Sequence, residues 1–130
     1  MERIELVDFL LIAEIHTGIR AEQLARMDRV VQLGQAALAA PFAGFGDFEA
    51  YPDTAHKAGI YCSRIIRYHP LLDGNKRTGY DVMREFLERN GYELVHPVDL
   101  LDTAKVIDEL AASRITEAQF CAWVSGSLSD

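Results

Sequence analysis

A chain of 130 residues, 49% apolar and 25% charged, has the size and balance of one ordinary globular domain, expected to span residues 1–130. A formal net charge of -7 argues against general nucleic-acid binding, which leans on a basic surface. Apolar stretches such as Phe9 to Ala13 are far below the roughly 20 residues of a membrane span, and Met1-Glu-Arg-Ile-Glu lacks the basic region and cleavage site of a signal peptide. A cytoplasmic protein with no membrane or nucleic-acid partner is therefore expected.

In chain order the patterns are helical. Asp8 is placed to cap a first helix through Phe9 to His16, with Gly18 beyond its end. A second helical region runs from about Ala21 to Ala40, with a break near Asp28 and a stop at Pro41. The segment from Pro41 to Pro52 holds Gly44, Gly46, Phe42, Phe45, Phe48 and Tyr51, a composition that suits a short hairpin or flap. Asp53 caps the next helix, whose Ala58, Cys62, Ile65 and Ile66 share one face.

That helix delivers the chain to His69-Pro70, where the proline turns His69 away from helical geometry. Another helix begins near Asn75 or Lys76, buries Tyr80, Met83, Phe86 and Leu87, and ends at Asn90-Gly91. Tyr92 to Val95 suits a short extended segment. A further helix from about Asp99 to Ala112 has Leu100, Ala104, Ile107 and Ala111 in phase. Thr116 and Gln119 form a capping box for a last helix, and Ile115 and Phe120 occupy the positions of a hydrophobic staple. The expected fold is all-α, a bundle of five to seven helices with one flap hairpin. Cys62 and Cys121 belong to no CxxC pair and read as buried reduced thiols.

The chemistry concentrates between the two central helices. Arg64, Arg67, Lys76 and Arg77 face one acid, Asp73, within this stretch, four cations against one carboxylate and a local balance of +3 in an acidic chain. A tight Asp73-Gly74 turn opens a helix whose first N–H groups lack intrahelical partners, a ready anion site that Lys76 and Arg77 strengthen. His69 suits general-base work near neutral pH, and Asp73 offers a hard oxygen ligand for Mg²⁺. Base, metal ligand and anion cradle together make the parts of phosphoryl transfer. The spacing is not that of a P-loop, and His69 and Asp73 lack a third ligand for zinc.

The string His69-Pro-Leu-Leu-Asp-Gly-Asn-Lys-Arg-Thr78 resembles the Fic/Doc family motif His-Pro-Phe-x-(Asp/Glu)-Gly-Asn-(Gly/Lys)-Arg. The motif's nine positions fall on His69 to Arg77, with Leu71 in place of a core-packing Phe. Tyr51-Pro52-Asp53 resembles the family's flap region, Phe86 to Tyr92 its helix end, and Ile15-His16 its small Doc-type branch. Members with Gly after the Asn and a second Arg three residues beyond the first transfer a nucleotide monophosphate. Here Lys76 replaces the Gly and Tyr80 stands where the second Arg would be; Arg84 lies seven residues beyond Arg77.

The resemblance to the Doc-type branch implies a protein kinase that passes the γ-phosphate of ATP to a threonine of elongation factor Tu. A long cation at position 76 also fills space a nucleoside phosphate needs and adds a point charge for the γ-phosphoryl group. His69 would be the base and Asp73 the Mg²⁺ ligand. Gly74, Asn75, Lys76, Arg77 and Thr78 would hold the phosphates, and the flap residues Phe45, Gly46, Asp47, Phe48 and Glu49 would dock the target as an added strand. AMPylation by a nucleotidyl transferase and a silent binding module of the same fold are the alternatives.

The branch also implies a small antitoxin, a Phd-like peptide or helix covering the site. Larger relatives carry an internal inhibitory helix with (Ser/Thr)-x-x-x-Glu-(Gly/Asn). The nearest match, Ser113 to Ala118, overlaps the Thr116 helix start and reads as a capping segment, so restraint in trans is expected.

Overall fold

The structure is a computed structural model that describes residues 1–95 and 100–129, apart from the side chains at 100 and 101. Seven α-helices lie among the described residues: α1 Leu6–Thr17, α2 Ala21–Leu24, α3 Asp28–Ala39, α4 Thr54–Tyr68, α5 Asn75–Arg89, α6 Leu100–Ala111 and α7 Glu117–Gly126. The all-α expectation holds. No helix among the described residues is long and apolar enough to cross a membrane.

The helix ends follow from local chemistry, with corrections to the expected boundaries. Asp8 is not the first cap. It sits in the first turn of α1 and accepts a hydrogen bond from the Glu5 N–H at 2.8 Å, so the helix starts earlier. Gly18 ends α1 at φ 74°. The break near Asp28 is real, and Pro41 lies within a single 3-10 turn, Ala40–Phe42. Asp53 caps α4 by accepting from the His56 N–H at 2.7 Å, and Thr116 and Gln119 form the predicted capping box of α7. The predicted start at Asp99 and the inward placement of Leu100 lie outside the described residues.

Two small antiparallel ladders lie among the described residues. The predicted flap is a hairpin of β1 Gly44–Phe45 and β2 Phe48–Glu49, with Phe45 opposite Phe48. The extended segment after α5 is β3 Glu93–Leu94, paired with β4 Leu128–Ser129. That second partner was not expected.

Helix α4 is the centre of the bundle and packs on α3, α5 and α7. Its Ala58, Ile60, Tyr61, Cys62 and Ile65 are fully buried. Glycines set how closely its neighbours approach. A Cβ at Gly59 would lie 2.6 Å from Cys121 Sγ on α7, and one at Gly79 would lie 3.1 Å from the Cys62 carbonyl oxygen across α4 and α5. Beneath the flap, Tyr61 and Phe86 meet at 4.9 Å between ring centroids, with Phe42 edge-on to both. Burial of a ring such as Phe86 stabilises the fold by roughly 1.5–3 kcal/mol. The backbone N–H of Ile4 donates to the Tyr61 hydroxyl at 3.1 Å, and burial pushes that phenol up to about 12.

Candidate active site

Helix α4 ends on His69, whose N–H still donates to the Ile65 carbonyl at 3.1 Å while its own backbone turns left-handed at φ 54°, ψ 56°. The chain then dives inward. Pro70 and Leu71 are buried, so Leu71 takes the packing role expected of it. Leu72 and Asp73 emerge to solvent, and Gly74 turns the chain into α5 at φ 84°. Asn75 fixes this loop. Its Oδ1 accepts from the Leu71 N–H at 3.1 Å, and its Nδ2 donates to the Leu71 carbonyl at 2.8 Å.

Among the described residues no side chain caps the start of α5, so the N–H groups of its first turn are open to an anion. They border a cavity of about 720 Å³. His69, Asp73, Gly74, Asn75, Lys76 and Arg77 all line it, which brings together every predicted loop residue but one. Thr78 is the exception. It is fully buried, does not line the cavity, and its hydroxyl has no hydrogen-bond partner among the described residues. Helical phase turns it toward the core.

The remaining walls come from distant sequence. His16 at the end of α1 joins Asp81 of α5 at 2.6 Å between Nε2 and Oδ2. Ile66 of α4 and Thr103, Ala104, Ile107, Asp108 and Ala111 of α6 close the other side. Sequence reasoning missed these residues as site components, because none lies in the loop. The signals available are His16, singled out with Ile15 as a mark of the Doc-type branch, and Asp81, a turn beyond Arg77 on α5.

The positive charge at the loop is narrower than the sequence suggests. Arg64 is committed elsewhere: it grips Glu117 of α7 at 2.9 and 3.1 Å and donates to the hydroxyls of Tyr68 and Tyr51, each at 3.0 Å. Burial pushes the Glu117 carboxyl up, but hydrogen bonds from Arg64 and Ser63 and the Arg64 charge outweigh it and leave the group below the usual glutamate range. Glu117 of the inhibitory-motif match is thus tied to α4, in keeping with a capping segment. Lys76 donates to Asp108 Oδ1 at 3.0 Å, an exposed pair that a competing anion displaces at little cost. Arg84 does not line the cavity and reaches Glu88 at 3.4 Å, so it does not substitute for an Arg at Tyr80, which does line the cavity.

The donor set fits a cation brought with phosphates, not a protein-built metal cage. Asp73 is exposed at the cavity, with Oδ1 accepting from the Gly74 N–H at 2.8 Å. One carboxylate plus substrate oxygens is the usual manner of holding Mg²⁺.

The flap stands apart from the cavity. None of Phe45, Gly46, Asp47, Phe48 and Glu49 lines it; Phe45 and Phe48 are exposed and lie 5.6 Å apart. The hairpin is anchored from below by Lys57, a buried lysine whose ammonium donates to Glu49 at 3.1 Å and to the Tyr51 carbonyl.

Comparisons with known proteins agree with this architecture. Toxin Doc of Mycolicibacterium smegmatis is 36% identical over 76 residues, a stretch covering 58% of this chain and 58% of that protein. No solved structure matches significantly. The sequence model of the Fic/DOC family matches residues 5–87, more than half of the chain, and the protein therefore belongs to the Fic/DOC family.

Proposed function

We propose that this chain is a Doc-type toxin that transfers the γ-phosphate of ATP to a protein hydroxyl. The observation that carries the choice of transfer is the pairing of Lys76 and Tyr80 on the cavity wall. A long cation stands at the anion hole, and an uncharged ring stands one turn further on, where a second Arg would hold a terminal phosphate.

His69 accepts the proton from the target hydroxyl. The hydroxyl oxygen attacks the γ-phosphorus, the bond to the bridging oxygen breaks, and ADP leaves. Lys76, Arg77 and the first-turn N–H groups of α5 hold the phosphate oxygens and offset the charge that develops on them. Gly74 permits close approach of that backbone, and Asn75 contributes through its N–H while its side chain holds the loop. Asp73 would hold Mg²⁺, which would supply charge neutralisation for the phosphates. The exposed hairpin edge around Phe45 and Phe48 pairs with the target as an added strand. By family resemblance the target is a threonine of elongation factor Tu and a small antitoxin covers the site, while the name of the Mycolicibacterium relative supports a toxin.

The test is incubation with a bacterial lysate and ATP labelled on either the γ- or the α-phosphate, beside His69→Ala. Label from the γ-position alone supports the kinase. Label from the α-position replaces it with nucleotidyl transfer, and equal labelling by His69→Ala removes His69 as the base.

A further inference from the structure

We infer that Arg29 is a positioning residue for His69, holding in place the strained backbone on which the imidazole is mounted. The inference rests on His69 being the base of the reaction proposed above.

Among the described residues, His69 and Ser113 are the non-glycine residues with positive φ, and His69 is the one in the cavity. Left-handed geometry crowds the Cβ of any L-residue against its own backbone and persists only where the surroundings enforce it. Two of the enforcing contacts lie after His69. Pro70 disfavours the right-handed helical region for the residue before it, and the Asn75 side chain grips Leu71. Neither holds the His69 carbonyl, which has left the helical ladder. Arg29 does, donating from Nη2 at 3.0 Å across 40 residues of sequence.

The placement of Arg29 is otherwise unfavourable. It lies in the first turn of α3, directly after Asp28, where the helix dipole repels a cation. Among the described residues it forms no ion pair to offset this. Its guanidinium is placed to fix the orientation of the peptide between His69 and Pro70. That peptide sets the direction of the His69 Cα–Cβ bond, and misplacing a reacting group by about 1 Å costs on the order of 100-fold in rate.

The experiment compares the wild type with Arg29→Ala, Arg29→Lys and His69→Ala. Rates of γ-phosphate transfer to a bacterial lysate are taken over a series of ATP concentrations, and the histidine ring carbons are followed by NMR. Arg29→Ala is expected to lower kcat about tenfold with an unchanged KM for ATP and an unchanged thermal midpoint. Arg29→Lys, with a donor of similar reach, recovers part of the loss. The His69 ring signal, assigned by its absence in His69→Ala, shifts or broadens in Arg29→Ala while the His16 and His56 signals stay. An unmoved His69 signal overturns the proposal whatever the label does. A raised KM with a lowered thermal midpoint also overturns it, since Arg29 would then support the scaffold alone. Absence of γ-label from the wild type, with the His69 signal still displaced by Arg29→Ala, defeats the kinase reading and leaves the positioning role standing.

Discussion

The side-chain amide of Asn75 spans both backbone polar groups of Leu71, accepting from its N–H at 3.1 Å and donating to its carbonyl at 2.8 Å. This pair converts a stretch of loop into a rigid bracket between the ends of α4 and α5. Both groups are buried, so neither Leu71 atom finds water when the amide is removed. Asn75→Ala is expected to destabilise the protein by about 2 kcal/mol, the cost of leaving buried backbone groups unpaired, measured by denaturant unfolding. Asn75→Asp retains the acceptor but sets a carboxylate oxygen against the Leu71 carbonyl, so it should rescue little. Wild-type stability in either variant would show that the loop holds its shape without the amide.

Gly74 is constrained twice over. It holds φ 84°, and a Cβ there would lie 3.3 Å from the His16 carbonyl oxygen at the end of α1. Gly74→Ala is therefore expected to cost roughly 1–2 kcal/mol in backbone strain. Its larger effect falls on ligand binding, because the turn that opens the anion site shifts away from His16. Titration with ATP should show weaker binding by tenfold or more at a temperature where the variant is fully folded. Binding equal to wild type would remove Gly74 from the anion site.

What the sequence made legible follows from contiguity. His69, Asp73, Gly74, Lys76 and Arg77 lie within nine positions, and a helix–turn–helix frame brings them to one cavity with no long-range information. His16 and Asp108 reach the same cavity only because α1 and α6 pack beside α5, which no local spacing encodes. Thr78 follows the motif but does not line the cavity; its four-residue spacing to Val82 and Phe86, both fully buried, is the signal that places it in the core. Arg64 adds to the charge counted along the chain but not to that at the loop, since its partner Glu117 lies 53 residues away. Strand β4 has two residues, too few to show any periodicity.

Lys57 is an uncommon buried ammonium, 2% exposed, that ties the base of the flap to α4. Lys57→Met keeps the volume and removes the charge, leaving the Tyr51 carbonyl without this donor. The expected outcome is a loosened hairpin in a folded protein: faster hydrogen exchange at residues 44–51 and a raised KM for the protein target, with the KM for ATP unchanged. Exchange in the flap equal to wild type would show that the hairpin is held by its own ladder.

The crossing of α4 and α7 leaves no room for one methyl group. A Cβ at Gly59 would meet Cys121 Sγ at 2.6 Å and the Cys121 Cα at 3.1 Å. Gly59→Ala is expected to lower stability by about 1–3 kcal/mol through overpacking. Adding Cys121→Ala removes the sulfur but not the backbone contact, so the double variant should recover only part of the loss. Additive losses in that double-variant cycle would mean the two residues do not collide.

The pH dependence of stability follows from two depressed carboxyls. A hydrogen bond from Arg89, reinforced by its charge, holds Asp8 below its usual range against the opposing effect of burial. Glu117 is held down by Arg64 and Ser63 in the same sense. A group whose folded pKa lies below its unfolded value binds fewer protons in the native state, so its contribution is complete above the unfolded value, near 4 for both side chains. As pH falls through the folded values that contribution is lost. The thermal midpoint should therefore stay level with respect to these two groups between about pH 7 and 5.5 and fall below about pH 4.5. Glu117→Gln lowers the midpoint at pH 7, because it breaks the paired grip of Arg64, and flattens part of the acid limb. An acid limb of unchanged steepness in Glu117→Gln would place the titrating group elsewhere.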